Sequence, residues 1–313
     1  MISNRTQVTL TMTGFPEKEQ VDSYRDHLLN VWDIGPTALT DELAHRLSST
    51  DYHDLINWKK TIATDNHPST LDRFYRWLMS ASRFGSVQSS RWMEILTSGI
   101  WASEILKELN VCGPVLDIGC NAGYWNSWMS YHNQKAITGM DKREIAIHFG
   151  QKRQNELGLQ NTLLVADFMD AYPSHKYTAV VSLQGLTEAF HCQQKRIFES
   201  VATYLMKDGY LIMIDELPGQ SVHYEKMWKQ SGFHLCAAGM VGGLGIDHEW
   251  KSYLALVLKL GGSDTTKTLV EAEKATEQLW QSFHLYGTDS TIDWTLRNSA
   301  YWWAAHENAF VFL

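Results

Sequence analysis

The chain has 313 residues, 44% of them hydrophobic and 20% charged, with a formal net charge of −8. That balance fits a folded protein with a substantial core and argues against a generally basic nucleic-acid surface. No run approaches the ~18 apolar residues of a membrane span. The N-terminal stretch MISNRTQVTLTMTGF has no basic-then-apolar signal pattern, so a cytoplasmic protein is expected. Cys112, Cys120, Cys192 and Cys236 show no CxxC spacing, which fits reduced thiols.

In chain order, residues 17–110 read as helices. Apolar positions recur at steps of three and four in VDSYRDHLLNVW, LTDELAHRL and LDRFYRWLMSA. Ser69 and Thr70 are candidate N-caps for the last of these, and Gly85 is a candidate stop. From Val115 the pattern changes to short apolar runs: VLDIG, AITGMD (136–141), TLLVADF (162–168), YTAVVSL (177–183) and YLIMIDE (210–216). Helical stretches at 123–132, 143–157 and 193–206 lie between them, which predicts a mostly parallel, doubly wound α/β sheet. FHLCAAGMVG (233–242) and WKSYLALVLKL (250–260) are too close for a helical crossover and read as an antiparallel hairpin. GGSDTT then looks like a linker to a helix over 268–286 and a Trp-rich tail, YWWAAHENAFVFL.

In open α/β sheets ligands sit at the carboxyl ends of the strands. The first such turn is Asp117-Ile-Gly119-Cys-Asn121-Ala-Gly123. Asparagine tolerates the left-handed region, so Asn121 can replace a glycine there. The turn lacks the G-x-G-x-x-G of a dinucleotide site and the G-K-[ST] of a P-loop. Asp117 would repel a pyrophosphate and suits an ammonium or sulfonium group instead. Asp141 closes the second strand, where a carboxylate can accept from both ribose hydroxyls of an adenosine. Asp167 closes the third; it can accept from an adenine amino group while Phe168 packs on the base.

With these residues in place the sequence resembles the class I S-adenosylmethionine-dependent methyltransferases over residues 93–260. VLDIGCNAGYW is similar to the family's first motif, MDK (140–142) to its second and ADF (166–168) to its third. SLQGLTEAFH (182–191) is similar to the segment after strand four that reaches the active site. The resemblance implies a seven-stranded sheet whose last strand is antiparallel, with helical N-terminal (1–92) and C-terminal (261–313) extensions. It implies S-adenosylmethionine as cofactor and S-adenosylhomocysteine as product, held by Asp117, Gly119, Asn121, Gly123, Asp141, Lys142, Asp167, Phe168 and Gln184. GYWNSWM also resembles, over a shorter stretch, the methyltransferase-like enzymes that carboxymethylate wobble uridine in tRNA.

Methyl transfer is an in-line displacement, and a poor acceptor must also lose a proton. His191 is the candidate base, because its unperturbed pKa lies near neutrality. Glu188, three positions earlier, would share a helical face with it. Asp215 and Glu216 end strand five, with Glu216 the other candidate, and His223, Tyr224, His248 and Glu249 lie in nearby loops. A metal on His191, Glu216 and His248 is the alternative, without dense ligand spacing to support it. Trp101, Trp125, Trp250, Trp302 and Trp303 could line a pocket for an aromatic or heterocyclic small molecule. The expected protein is therefore a small-molecule methyltransferase, a homodimer on the family's habit. The alternatives are an RNA-modifying enzyme and an inactive cofactor-binding scaffold.

Overall fold

The computed structural model describes residues 18–35, 47–65, 67–80, 83–89, 91–132, 135, 137–159, 162–186, 189, 196–215, 221–244, 250–261, 300–304 and 310–311. Its N-terminal part is helical. Helix α1 (Lys18–Trp32) buries Tyr24, Leu28 and Trp32, the stripe that the periodicity marks. The helix ends where Asp33 turns left-handed, at φ 56°, and its N–H reaches the Leu29 carbonyl at 3.1 Å. Helix α2 (Ser49–Thr64) is capped by the Ser48 hydroxyl, which accepts from Asp51 N. This helix falls within the region read as helical, but no apolar stripe marks its bounds, because only Leu55 of it is buried.

Helix α3 (Pro68–Leu78) begins earlier than expected. His67 is its N-cap and Pro68 its first residue, so Ser69 and Thr70 lie inside the first turn. Proline is suited to that place, since the missing N–H has no partner there anyway. Gly85 does not end a helix either. It sits within α4 (Phe84–Ser89), where an added Cβ would lie 2.6 Å from the Asp33 carbonyl oxygen. Helix α5 (Trp92–Glu108) ends with Asn110 in the left-handed region (φ 49°), with Val111 N bonded to Leu106 O and Asn110 N to Lys107 O. The 39–47 stretch lies almost wholly outside the described residues.

The remainder alternates strands and helices: β1 (Val115–Ile118), α6 (Tyr124–His132), β2 (Ile137–Asp141), α7 (Glu144–Glu156), β3 (Thr162–Val165), β4 (Tyr177–Leu183), α8 (Ile197–Tyr204), β5 (Leu205–Asp215), α9 (Ser221–Gln230), β6 (Phe233–Leu244) and β7 (Trp250–Leu260). The strand order is β3-β2-β1-β4-β5-β7-β6, parallel except for β7, which runs antiparallel to both neighbours. Side chains alternate between two apolar layers. Ala179 and Val181 of β4, with Ile212 and Ile214 of β5, face α1, α5, α6 and α7. Val180, Leu211 and Met213 face α8 and α9 on the other side. Both faces are covered, which is why the strands read as continuous apolar runs.

The C-terminal extension departs from the helical expectation. The tail supplies β8 (Ala300–Ala304), antiparallel to β6, and β9 (Phe310–Val311), antiparallel to β8. Tyr301, Trp302 and Trp303 are good strand formers, and β6 would otherwise leave its backbone groups unpaired at a sheet edge. The sheet thus has nine strands, seven of them in the expected arrangement. The helix expected over 268–286 lies outside the described residues. Among the described residues no helix is long and apolar enough to cross a membrane.

Candidate functional site

Strand order reverses between β1 and β4, so the loops leaving these strands diverge and open a crevice at the sheet's carboxyl edge. The β1 loop folds over the end of β2: Gly119 N and Cys120 N both donate to Met140 O, at 2.8 and 3.2 Å. Gly119 has φ +71°, and a Cβ on it would lie 2.5 Å from Gly185 Cα in the loop after β4. The two loops touch backbone to backbone, which only glycine allows. Asn121 takes the left-handed conformation that its position demands, at φ 54°.

Asp141 ends β2 as expected and is buried. Its carboxylate accepts from Asn121 N at 3.0 Å and Arg143 N at 2.8 Å, so it also fixes the β1 loop. Burial raises its pKa, against the pull of those two N–H groups and of Arg143 and Lys142. Asp117 is buried as well. Burial pushes its carboxyl well above the usual carboxylate range; the Asn126 amide opposes that rise, and Asp141 adds to it. A buried carboxyl that burial and a neighbouring acid both hold up in this way favours a cation beside it. The Asn121 Oδ1 atom is buried without a partner among the described residues, an acceptor placed for a ligand's donor.

Gln184 follows β4 and is also left-handed, at φ 60°, a conformation that costs a non-glycine residue roughly 1–2 kcal/mol. Its side-chain oxygen accepts from an Arg91 Nη. Asp167 lies two positions past β3 rather than within it and accepts from Met169 N at 2.9 Å. Phe168 is buried in the α8–α9 layer with Leu116, Ile118 and Met140. Lys142 is exposed beside Asp141.

Residues 115–209 match the family described as "Methyltransferase domain". These residues form a methyltransferase domain. No curated protein matches it. Among solved structures it is similar to magnesium protoporphyrin IX methyltransferase from Synechocystis, solved with bound S-adenosylmethionine. The identity is 16%, over 56% of this chain and 82% of that one, with a TM-score of 0.45. An S-adenosylmethionine-dependent methyltransferase from Clostridium acetobutylicum is 12% identical over 53% and 92% of the two chains, with a TM-score of 0.42. TehB from Haemophilus influenzae is 15% identical over 51% and 61%, at 0.39. The strand order, not these distant likenesses, identifies the fold.

S-adenosylmethionine is the methyl donor of this methyltransferase domain, and the residues present fit it. The paired buried acids suit its cationic amino-acid end, and the open Asn121 oxygen suits a hydroxyl or ammonium donor. The Gly119–Gly185 contact keeps side chains out of the crevice.

His191, Glu188 and Glu216 lie outside the described residues, as do His248 and Glu249. Among the described residues no cluster of three His, Cys, Asp or Glu side chains gathers as a metal site. Cys112, Cys120 and Cys236 are free thiols. Trp101 and Trp125 are core residues, 0% and 1% exposed, and the Trp125 indole N–H donates to Gly99 O. Tyr224 is buried in the α8–α9 layer.

Three supports have roles that sequence reasoning does not assign. Asp215, fully buried at the end of β5, accepts from the Ser182 hydroxyl at 2.8 Å and from Leu186 N at 3.1 Å, pinning the loop after β4. Helix α7 carries the β1 loop on Gly150, where a Cβ would lie 2.1 Å from Ala122 O. Arg91 reaches the crevice from the helical region. The glycine in mid-helix and the acid ending strand five are the signals that the sequence holds for these.

Proposed function

We propose that this methyltransferase acts on a small-molecule acceptor, aromatic or heterocyclic, in the cytoplasm, and that it serves secondary metabolism. The observation that carries the reading is the crevice itself. Two buried acids and an all-backbone loop contact meet where the strand order reverses, and helices of the N-terminal region pack on one face of the same sheet. Residues 1–92 act as the cover and as the surface for a homodimer. The net charge of −8 supplies little of the phosphate neutralisation that RNA binding needs.

In this reading S-adenosylmethionine supplies an electrophilic methyl group. Asp117 draws the cofactor's ammonium toward the β1 loop, Asp141 accepts from the ribose hydroxyls, and Gln184 borders the path to the acceptor. His191, eight positions past β4, takes the acceptor's proton; Glu188 orients its ring and Glu216 assists. Asp167 accepts from the adenine amino group, and Phe168 firms the floor beneath it.

The test is release of S-adenosylhomocysteine from S-adenosylmethionine in a small-molecule metabolite extract, with mass spectrometry of the methylated product. Turnover on tRNA, and none on the small-molecule fraction, would overturn the acceptor class.

A further inference from the structure

The acids of the crevice account for the cationic parts of an amino-acid cofactor and leave its carboxylate without a counter-charge. Arg91 stands where that charge is missing. It precedes α5, and its guanidinium is fixed from two sides: Nε donates to Glu94 Oε2 at 3.0 Å, and Nη2 donates to the side-chain oxygen of Gln184. Glu94 is only 4% exposed on its side chain, whereas Arg91 is 47% exposed, so the pair presents its cation outward. The Gln184 contact locates the guanidinium at the carboxyl end of β4, beside the β1 loop that Gly185 touches. Among the described residues Nη1 makes no hydrogen bond, and it has two N–H groups to offer.

The other cations near the crevice stand at its far side. Lys142 and Arg143 follow β2 beside Asp141. The Arg143 guanidinium lies 4.2 Å over the Tyr75 ring, with Nη1 4.0 Å from Asp141 Oδ1. These groups attend the ribose position, not the end of β4.

We propose that Arg91, braced by Glu94 and Gln184, binds the α-carboxylate of S-adenosylmethionine. The helical region thereby supplies part of the cofactor site and is not only a cover. A planar, permanently charged fork is the side chain best suited to a carboxylate. The proposal rests on S-adenosylmethionine being the cofactor of this crevice.

Two ligands separate the possibilities: S-adenosylhomocysteine, and its decarboxylated form, which keeps the ammonium and lacks only the carboxylate. Calorimetry on the wild-type chain should show the first binding about ten- to a hundred-fold tighter, the range for hydrogen bonds to a charged group. In Arg91→Met that gap should close through loss of S-adenosylhomocysteine affinity, with the decarboxylated ligand unchanged. Arg91→Lys, which keeps a cation beside Glu94, should retain part of the gap, and it carries the test should Arg91→Met fail to fold. A gap of wild-type size in either variant, or equal weakening of both ligands, overturns the proposal. A wild-type chain that binds neither ligand overturns the cofactor reading first and this one with it.

Discussion

Gly185 and Gly119 hold two loops in backbone contact. A Cβ on Gly185 would lie 2.4 Å from the Ile118 carbonyl oxygen and 2.9 Å from Gly119 Cα. Neither obstacle is the end of a flexible side chain. Relief requires the loop after β4 to lift from the loop after β1, at the place where the strand order reverses. Gly185→Ala should therefore lower stability by about 1–3 kcal/mol, as overpacking does. S-adenosylhomocysteine affinity should fall with it, because the crevice floor is displaced. Denaturant unfolding and calorimetry on the same preparation check both, and an unchanged unfolding midpoint would mean the contact is looser than described.

Asp141 has two tasks, and its substitutions should separate them. Its carboxylate accepts from Asn121 N and Arg143 N, so removing it leaves two backbone donors unpaired in a buried turn. From sequence alone the expected cost of Asp141→Ala is confined to cofactor binding; the structure adds a cost in stability. Asp141→Ala should lose roughly 1.5–3 kcal/mol of cofactor affinity and also unfold earlier. Asp141→Asn keeps an acceptor for one N–H and should recover much of the stability and little of the affinity. If both variants melt like the wild-type chain, Asp141 is not bracing the loop.

Much of this was legible in the sequence. The strands showed because buried parallel strands must be apolar on both faces. The turn at Gly119 and Asn121 showed because its left-handed backbone narrows the choice of residue there. The bounds of helix α2 did not show, since it buries only Leu55 and leaves no stripe. The start of α3 was misplaced because Ser69 is a stronger cap signal than His67, although Pro68 marks the true first residue. Arg91 and the bracing role of Asp215 stayed hidden for another reason. Their partners, Gln184 for one and Ser182 for the other, lie 93 and 33 positions away, and no local pattern encodes such a meeting.

His27 makes a prediction about pH. It is buried between α1 and α6, with Nε2 2.8 Å from Ser127 Oγ. That hydroxyl donates to Tyr124 O and accepts from the Trp32 indole, so His27 completes it by donating as a neutral ring. Burial, helped by His132 nearby, lowers the His27 pKa from 6.5 to about 3. The folded pKa lies below the unfolded one. The contribution of the neutral ring is therefore intact above pH 6.5 and is lost as pH falls toward about 3. Between pH 6.5 and 5.5 the loss should be about 1 kcal/mol. Asp117 and Asp141, whose pKa values are raised, give the opposite slope in wild type and variant alike. The difference between wild type and His27→Gln isolates the histidine. Urea midpoints of the variant should fall less steeply over this range; parallel curves would sink the idea.

The last prediction concerns proton removal. His191 follows β4 by eight positions, on the segment whose start Asp215 pins through Leu186 N. A general base contributes about 10²–10⁴-fold to turnover. If His191 takes the acceptor's proton, His191→Ala should lose that much, with S-adenosylhomocysteine binding unchanged, because its role is toward the acceptor and not the cofactor. The pH–rate profile should lose its limb near neutrality, and Glu188→Gln should shift that limb to lower pH by removing the carboxylate that favours a charged ring. Turnover within a few-fold of wild type would assign the proton to Glu216, or to an acceptor already nucleophilic. In the second case the enzyme works by alignment alone, and the pH profile of the wild-type chain should be flat near neutrality.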